Sequence, residues 1–116
     1  MEKLKPFTEE RPWGWFREFI ENEKDTVKIL FIKKGESFSL QKHHNRDEFW
    51  KVLSGDPDIM VGDKTVQAKP GDEFEILPEV EHRIAAPTGD VEVLEISRGK
   101  FSEEDIVRIK DKYGRT

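Results

Sequence analysis

Cysteine is absent from the 116-residue chain, so no disulfide framework can staple the fold and no thiolate can act as ligand or nucleophile. Long apolar runs are missing as well. Nothing approaches the roughly 20 consecutive apolar residues that a bilayer-spanning helix requires, and the opening Met1-Glu2-Lys3-Leu4-Lys5-Pro6 has no apolar signal core. These absences lead us to expect a soluble, cytoplasmic protein. A basic excess is also lacking: the net charge is −5, which argues against nucleic acid as the main partner, because a phosphate backbone selects a net basic face. A small phosphorylated molecule stays allowed, since one Arg/Lys cluster in a pocket can hold it whatever the global sign. Asparagine and glutamine are scarce while Lys and Glu lead a charged fraction of 39%, a drift shared with heat-adapted proteins.

What the chain has instead is a succession of short strand-like segments. Trp15–Glu21 and Thr26–Ile32 flank a polar turn; Ser37–Lys42 and Glu48–Leu53 flank the polar loop His44–Asp47. Ile59–Val61 and Thr65–Gln67 surround Gly62-Asp63-Lys64, a hairpin signal. Glu73–Leu77, His82–Ala85 and Val91–Arg98 follow. Eight to ten short strands at this spacing predict an all-β sandwich or barrel, and the length suits one domain with its own core. Residues 1–10 read as a lead-in arm, 11–100 as the barrel, and 101–116 as a short C-terminal helix and tail. Ser102 would cap that helix, Glu103, Glu104 and Asp105 would complement its dipole, Ile106 and Ile109 would form its apolar stripe, and Gly114 would end it.

Chemistry concentrates between Gly35 and Gly55. Gln41, His43 and Glu48 stand at i, i+2 and i+7, a spacing that turns all three inward if the first two share a strand face and Glu48 lies on the next strand. His82 is a fourth donor on a separate strand. An amide oxygen, two imidazoles and a carboxylate suit a divalent ion such as zinc, manganese, iron, cobalt or nickel better than Cu⁺ or Ca²⁺, with zinc as first choice. Isolated inward polar groups in so small a core would be costly without such a role.

The spacing of Gly35, Gln41, His43, Glu48 and Gly55 resembles the first cupin motif, with glutamine for its first histidine, and Gly71 to His82 has the interval of the second. Pro78 and Glu79 stand where that motif has x and Gly of Pro-x-Gly, and Ala86 where it has asparagine. Arg11-Pro12-Trp13-Gly14, then Ser39-Leu40-Gln41-Lys42-His43-His44 with Arg46, Glu48 and Trp50, then Glu104-Asp105-Ile106-Val107-Arg108 and Tyr113-Gly114-Arg115, together resemble the type II mannose-6-phosphate isomerase domain. In that family the domain commonly forms the C-terminal part of a bifunctional protein with a mannose-1-phosphate guanylyltransferase; nothing in this sequence resembles the nucleotide-binding part.

The resemblance implies a cupin (jelly-roll) β-barrel and a metal-dependent aldose–ketose isomerase acting on a sugar phosphate, mannose 6-phosphate to fructose 6-phosphate. A base and a phosphate clamp are then needed. His44 and Glu81 are the candidate bases; Arg46 and Arg83, with Lys42 and Arg11 as weaker options, are the candidate substrate-binding cations, since a guanidinium fork matches phosphate oxygens. Lys112 and Arg115 could contribute from the tail, and Trp13 and Trp50 could stack on the sugar or fill the core. Two other functions fit the same barrel: a cupin dioxygenase, and a non-catalytic sugar-binding or regulatory module. A homodimer is expected, with the segment around Trp13, Trp15 and Phe16 crossing to the partner.

Overall fold

The computed structural model describes residues 6–20, 25–99 and 105–110. Eleven strands form among them: β1 (Phe7–Arg11), β2 (Gly14–Ile20), β3 (Asp25–Ile32), β4 (Leu40–His43), β5 (Arg46–Ser54), β6 (Asp58–Val61), β7 (Lys64–Gln67), β8 (Glu73–Ile76), β9 (His82–Ala85), β10 (Val91–Gly99) and β11 (Ile106–Lys110). They make a six-stranded sheet, β1-β2-β3-β10-β5-β8, and a five-stranded sheet, β11-β4-β9-β6-β7. Every pairing in both is antiparallel.

Period-two alternation decides what each strand sends into the space between the sheets. Along β3 the buried set is Thr26, Lys28, Leu30 and Ile32; along β5 it is Arg46, Glu48, Trp50 and Val52; along β10 it is Val91, Val93, Glu95 and Ser97. One end of each strand therefore contributes hydrocarbon and the other end polar groups. The apolar ends meet Ile59 and Ile84 of the opposite sheet, together with Trp13, Phe16, Phe38, Ile76 and Ala86, in one core. Trp13, Phe38 and Trp50 pack edge to face across it, at 6.1 and 6.0 Å between ring centroids. Trp13 and Trp50 are thus both core residues.

Three sequence expectations are corrected. The two sheets do not close into a barrel: they stay separate, with β1 and β8 at the edges of one and β11 and β7 at the edges of the other. Residues 7–10 of the expected arm form a strand with Arg11, paired to β2 from Phe7↔Glu18 to Arg11↔Gly14. The turn between them needs glycine at position 14, where a β-carbon would fall 1.9 Å from the Phe31 carbonyl oxygen. Residues 106–110 are a strand rather than a helix, and pair with β4 from Ile106↔His43 to Lys110↔Leu40. Ile106, Val107 and Ile109 are β-branched, which suits a pleated surface, and β4 offers them an open edge. Residues 21–24, 100–104 and 111–116, including the first polar turn, Ser102, Gly114, Lys112 and Arg115, lie outside the described residues. Among the described residues no helix is long and apolar enough to cross a membrane.

Asp105 is not a helix-dipole partner but the anchor of this last strand. Its carboxylate accepts hydrogen bonds from the backbone N–H of His44 at 3.1 Å and of Asn45 at 2.9 Å, in the tight turn that joins β4 to β5. Burial would raise the Asp105 carboxyl, but the two amides, with His43 and His44 nearby, hold it below the usual value. A depressed folded-state value contributes stability above the unfolded aspartate range, near pH 4, and that contribution is lost as pH falls through the folded value. Asp105→Ala should lower stability by about 1–2 kcal/mol in denaturant titration at pH 7, and the deficit should shrink below pH 4. A deficit independent of pH would assign Asp105 a packing role only.

Candidate metal centre

The polar ends of the strands meet at one end of the sandwich. Glu48 descends from β5, while His43 on β4 and His82 on β9 rise from the opposite sheet, and Glu48, His43 and His82 are buried at 3%, 3% and 1% exposure. His43 Nε2 lies 3.1 Å from His82 Nε2, and Glu48 Oε1 lies 3.6 Å from the first and 3.3 Å from the second. These are the only three His or acidic side chains among the described residues that converge in this way, with donor atoms within 4.8 Å of one another.

The protons in the cluster can be followed. His82 Nδ1 is 2.9 Å from the Val80 carbonyl oxygen and donates to it, so His82 Nε2 presents a lone pair. His43 Nε2 is 3.1 Å from Arg46 Nη2; a guanidinium can only donate, so this nitrogen also accepts. The two imidazole Nε2 atoms thus converge with Glu48 Oε1, an oxygen that has no formed hydrogen bond of its own. Burial pushes the His43 imidazole below its ordinary value, against the pull of Glu48. Burial would likewise raise the Glu48 carboxyl, but the adjacent His43 and His82 outweigh it and hold it well below the carboxylate range.

This arrangement fits a divalent ion. Ligands standing about 2.1 Å from a common centre are separated by roughly 3.0–3.4 Å at octahedral or tetrahedral angles, which brackets two of the three separations and falls just short of the third. The His82-to-carbonyl hydrogen bond is the second contact that ligating histidines commonly make. Gln41 pairs in register with His82 and gives its amide N–H to Ser39 Oγ at 3.1 Å, which leaves its carbonyl oxygen as a further donor.

Beside the cluster lies a cavity of about 70 Å³ whose charged and polar walls are Arg11, Lys28, Gln41, His43, Arg46, Glu48, Glu95 and Arg108. Four cations against two carboxylates give it a positive character within an acidic chain. Arg46 is 5% exposed and pairs with Glu48 at 3.5 Å; Lys28 is 4% exposed and pairs with Glu18 at 3.5 Å. Arg11 stands nearer solvent, its guanidinium 4.9 Å above the Phe16 ring. Arg108 comes from β11, opposite Gln41, and its buried Nε has no hydrogen-bond partner.

The cavity thus gathers Gln41, His43, Glu48, Arg46 and Arg11 of the residues singled out from sequence, with His82 in the cluster at its wall. It does not gather His44, Glu81, Arg83 or Lys42. Arg83 follows His82 on β9 and Lys42 precedes His43 on β4, so alternation turns their side chains to the other face of their strands, and Glu81 lies just before β9. His44 is exposed and pairs with Glu79, which also lies 3.7 Å from Lys42. That Glu79 holds φ at 71°, the left-handed conformation in which the cupin motif has glycine, and its N–H donates to the His43 carbonyl at 2.7 Å. Lys28, Glu95 and Arg108 line the cavity without having been singled out from sequence. For two of them the signal is phase: Lys28 is in step with Leu30 and Ile32, and Glu95 with Val91 and Val93.

The family model described as "Mannose-6-phosphate isomerase C-terminal" matches residues 3–111. The chain is 36% identical over 108 residues to the xanthan biosynthesis protein XanB of Xanthomonas campestris pv. campestris, covering 91% of this chain and 23% of that protein. It is 36% identical over 107 residues to a mannose-1-phosphate guanylyltransferase of Klebsiella pneumoniae, covering 90% of this chain and 23% of that one. The chain therefore spans less than a quarter of the length of these relatives. Oxalate decarboxylase from Bacillus subtilis superposes with a TM-score of 0.79 at 18% identity, over 90% of this chain and 30% of that one, a likeness of fold alone.

Titrating the chelator-treated protein with zinc should raise its melting temperature, since a ligand of the native state at 100 times its Kd adds about 2.7 kcal/mol. Glu48→Gln should abolish most of that rise, measured against the variant's own metal-free melt, which the loss of the buried Arg46 partner lowers. An equal zinc response in wild type and variant would remove Glu48 from the ligand set.

Proposed function

Since this chain belongs to the family of mannose-6-phosphate isomerase C-terminal domains, we propose that it is a metal-dependent aldose–ketose isomerase of sugar phosphates, interconverting mannose 6-phosphate and fructose 6-phosphate. The observation that carries this reading is the placement of the His43–Glu48–His82 cluster in the wall of a cavity that also holds Arg11, Lys28, Arg46 and Arg108. His43, Glu48 and His82, with Gln41, would hold the ion, and when bound it would supply Lewis-acid polarisation of the sugar's carbonyl and hydroxyl oxygens.

The chain's own residues divide the remaining work. Lys28 and Arg46 sit deep and are already paired with Glu18 and Glu48, so their charge is spent on keeping buried carboxylates ionised. The two remaining cations of the wall are Arg11, already paired with Glu9 at 2.7 Å, and Arg108, whose buried Nε has no hydrogen-bond partner, so Arg108 offers the freer donor to a phosphate dianion. With the phosphate held there, the reacting carbons reach toward the cluster. Arg46 Nη2 donates to His43 Nε2 at 3.1 Å and would have to release that lone pair for His43 to ligate a cation, while Trp50, 5.4 Å from the His82 ring at a 71° angle, fixes that imidazole from the core side.

Metal-loaded protein incubated with mannose 6-phosphate should form fructose 6-phosphate, and both chelation and His43→Ala should abolish turnover. Arg108→Ala should raise KM for the sugar phosphate about 10- to 100-fold with kcat changed less than threefold, the loss of one charge-assisted hydrogen bond to the phosphate. Binding of mannose 6-phosphate without turnover would instead make the domain a sugar-phosphate sensor.

A further inference from the structure

We propose that Glu95 is the base that carries the proton between the two carbons of the substrate, an inference that rests on the isomerase reading above. Glu95 lies on β10 in inward phase, 7% exposed, and its carboxyl is part of the cavity wall beside the metal-ligating cluster. In register it stands opposite Trp50 on one side and Lys28 on the other. Trp50 Nε1 donates to Glu95 Oε2 at 3.0 Å. One oxygen is thus fixed by a rigid indole, and the group is aimed by packing instead of swinging on a flexible chain.

Its position separates it from the ligands. Glu48 faces Ser97, one inward step further along β10, and Ser97 Oγ donates to Glu48 Oε2 at 3.2 Å. Glu48 is committed to the cluster, whereas Glu95 lies one layer deeper, on a diagonal of roughly 7–8 Å between backbones. A substrate held by its oxygens at the cluster would present its adjacent carbons to this second carboxylate. The charged groups around Glu95 are Lys28 on β3, with Glu18 of β2 behind it, Arg11 on β1, Arg46 and Glu48 on β5, and His43 and Arg108 from the opposite sheet. Burial, and then the Glu48 charge, push the Glu95 carboxyl up to about 7 against Lys28, Arg46 and Trp50. A group in that range can both take and return a proton near neutral pH.

The step balances within the substrate. The C2–H bond of the aldose breaks toward Glu95, its electron pair becomes the C1=C2 bond, and the carbonyl π pair moves onto O1, which takes the O2–H proton. The charge left on O2 then forms the C2 carbonyl as the C1=C2 pair takes the proton back from Glu95 at C1. No oxidant or reductant is consumed.

Glu95→Gln keeps the size of the side chain and an oxygen for the Trp50 N–H, so a purely structural role predicts little change. As a base, its loss should lower kcat for mannose 6-phosphate about 100-fold or more, with KM within threefold and an unchanged melting temperature. A fall of less than tenfold, or a loss carried by KM alone, overturns the proposal. Should the glutamine variant not fold, Glu95→Asp decides: it keeps the carboxylate but withdraws it by about one methylene, so kcat should fall about tenfold or more with KM within threefold, and an unchanged kcat overturns the proposal. A wild-type protein that never turns over mannose 6-phosphate removes the isomerase reading itself, a result seen before any variant is made.

Discussion

Glu48 reaches from the six-stranded sheet to two imidazoles of the five-stranded sheet, 3.6 Å from His43 and 3.3 Å from His82, and at this bridge the interior of the sandwich ceases to be hydrocarbon. A carboxylate so buried costs several kcal/mol to ionise unless partners offset it. The surrounding structure supplies them: Arg46 at 3.5 Å, the Ser97 hydroxyl at 3.2 Å and the two histidines. These partners come from β4, β5, β9 and β10, so the packing of four strands is constrained by one charge. That constraint accounts for the polar residues at inward positions that an apolar core would otherwise claim.

The same logic extends along the six-stranded sheet. Glu18, Lys28, Glu95 and Trp50 follow one another across β2, β3, β10 and β5 in register, a row that alternates carboxylate, ammonium, carboxylate and indole N–H. Alternation of sign lets buried charges neutralise their neighbours locally, and the row abuts the apolar layer of Leu30, Val52 and Val93. The overall −5 of the chain gives no hint of this. Net charge speaks to long-range partners, whereas the cavity's four cations are set against two carboxylates by strand phase alone.

Much of this is legible in the residues, and the remainder is hidden for identifiable physical reasons. His43, Glu48 and His82 can be found because two imidazoles and a carboxylate, at spacings that turn them all inward, are too costly to bury in a small β domain unless something binds them. Arg46 is reachable through its proximity to those spacings, and Arg11 through the Arg11-Pro12-Trp13-Gly14 block that carries part of the family resemblance. Lys28, Glu95 and Arg108 are not, because a charged residue within a strand reads as the solvent face until the pairing register is known. Glu81, Arg83 and Lys42 are drawn in by nearness in sequence, yet Glu81 lies just before β9 and, for the other two, a one-residue step in a strand reverses the face. The helix expected after Phe101 rests on Glu103-Glu104-Asp105 as dipole partners. Asp105 instead binds the His44–Asn45 turn, a contact between positions 61 and 60 residues apart that no local pattern encodes. Closure into a barrel is equally beyond local signals, since it depends on whether edge strands meet.

Strand β11 covers the edge of β4 and lends Ile106 and Arg108 to the cavity, although it follows every other described strand in the chain. During synthesis His43, Glu48 and His82 leave the ribosome before that wall does, so the cluster is complete in the nascent chain while the cavity still lacks one side.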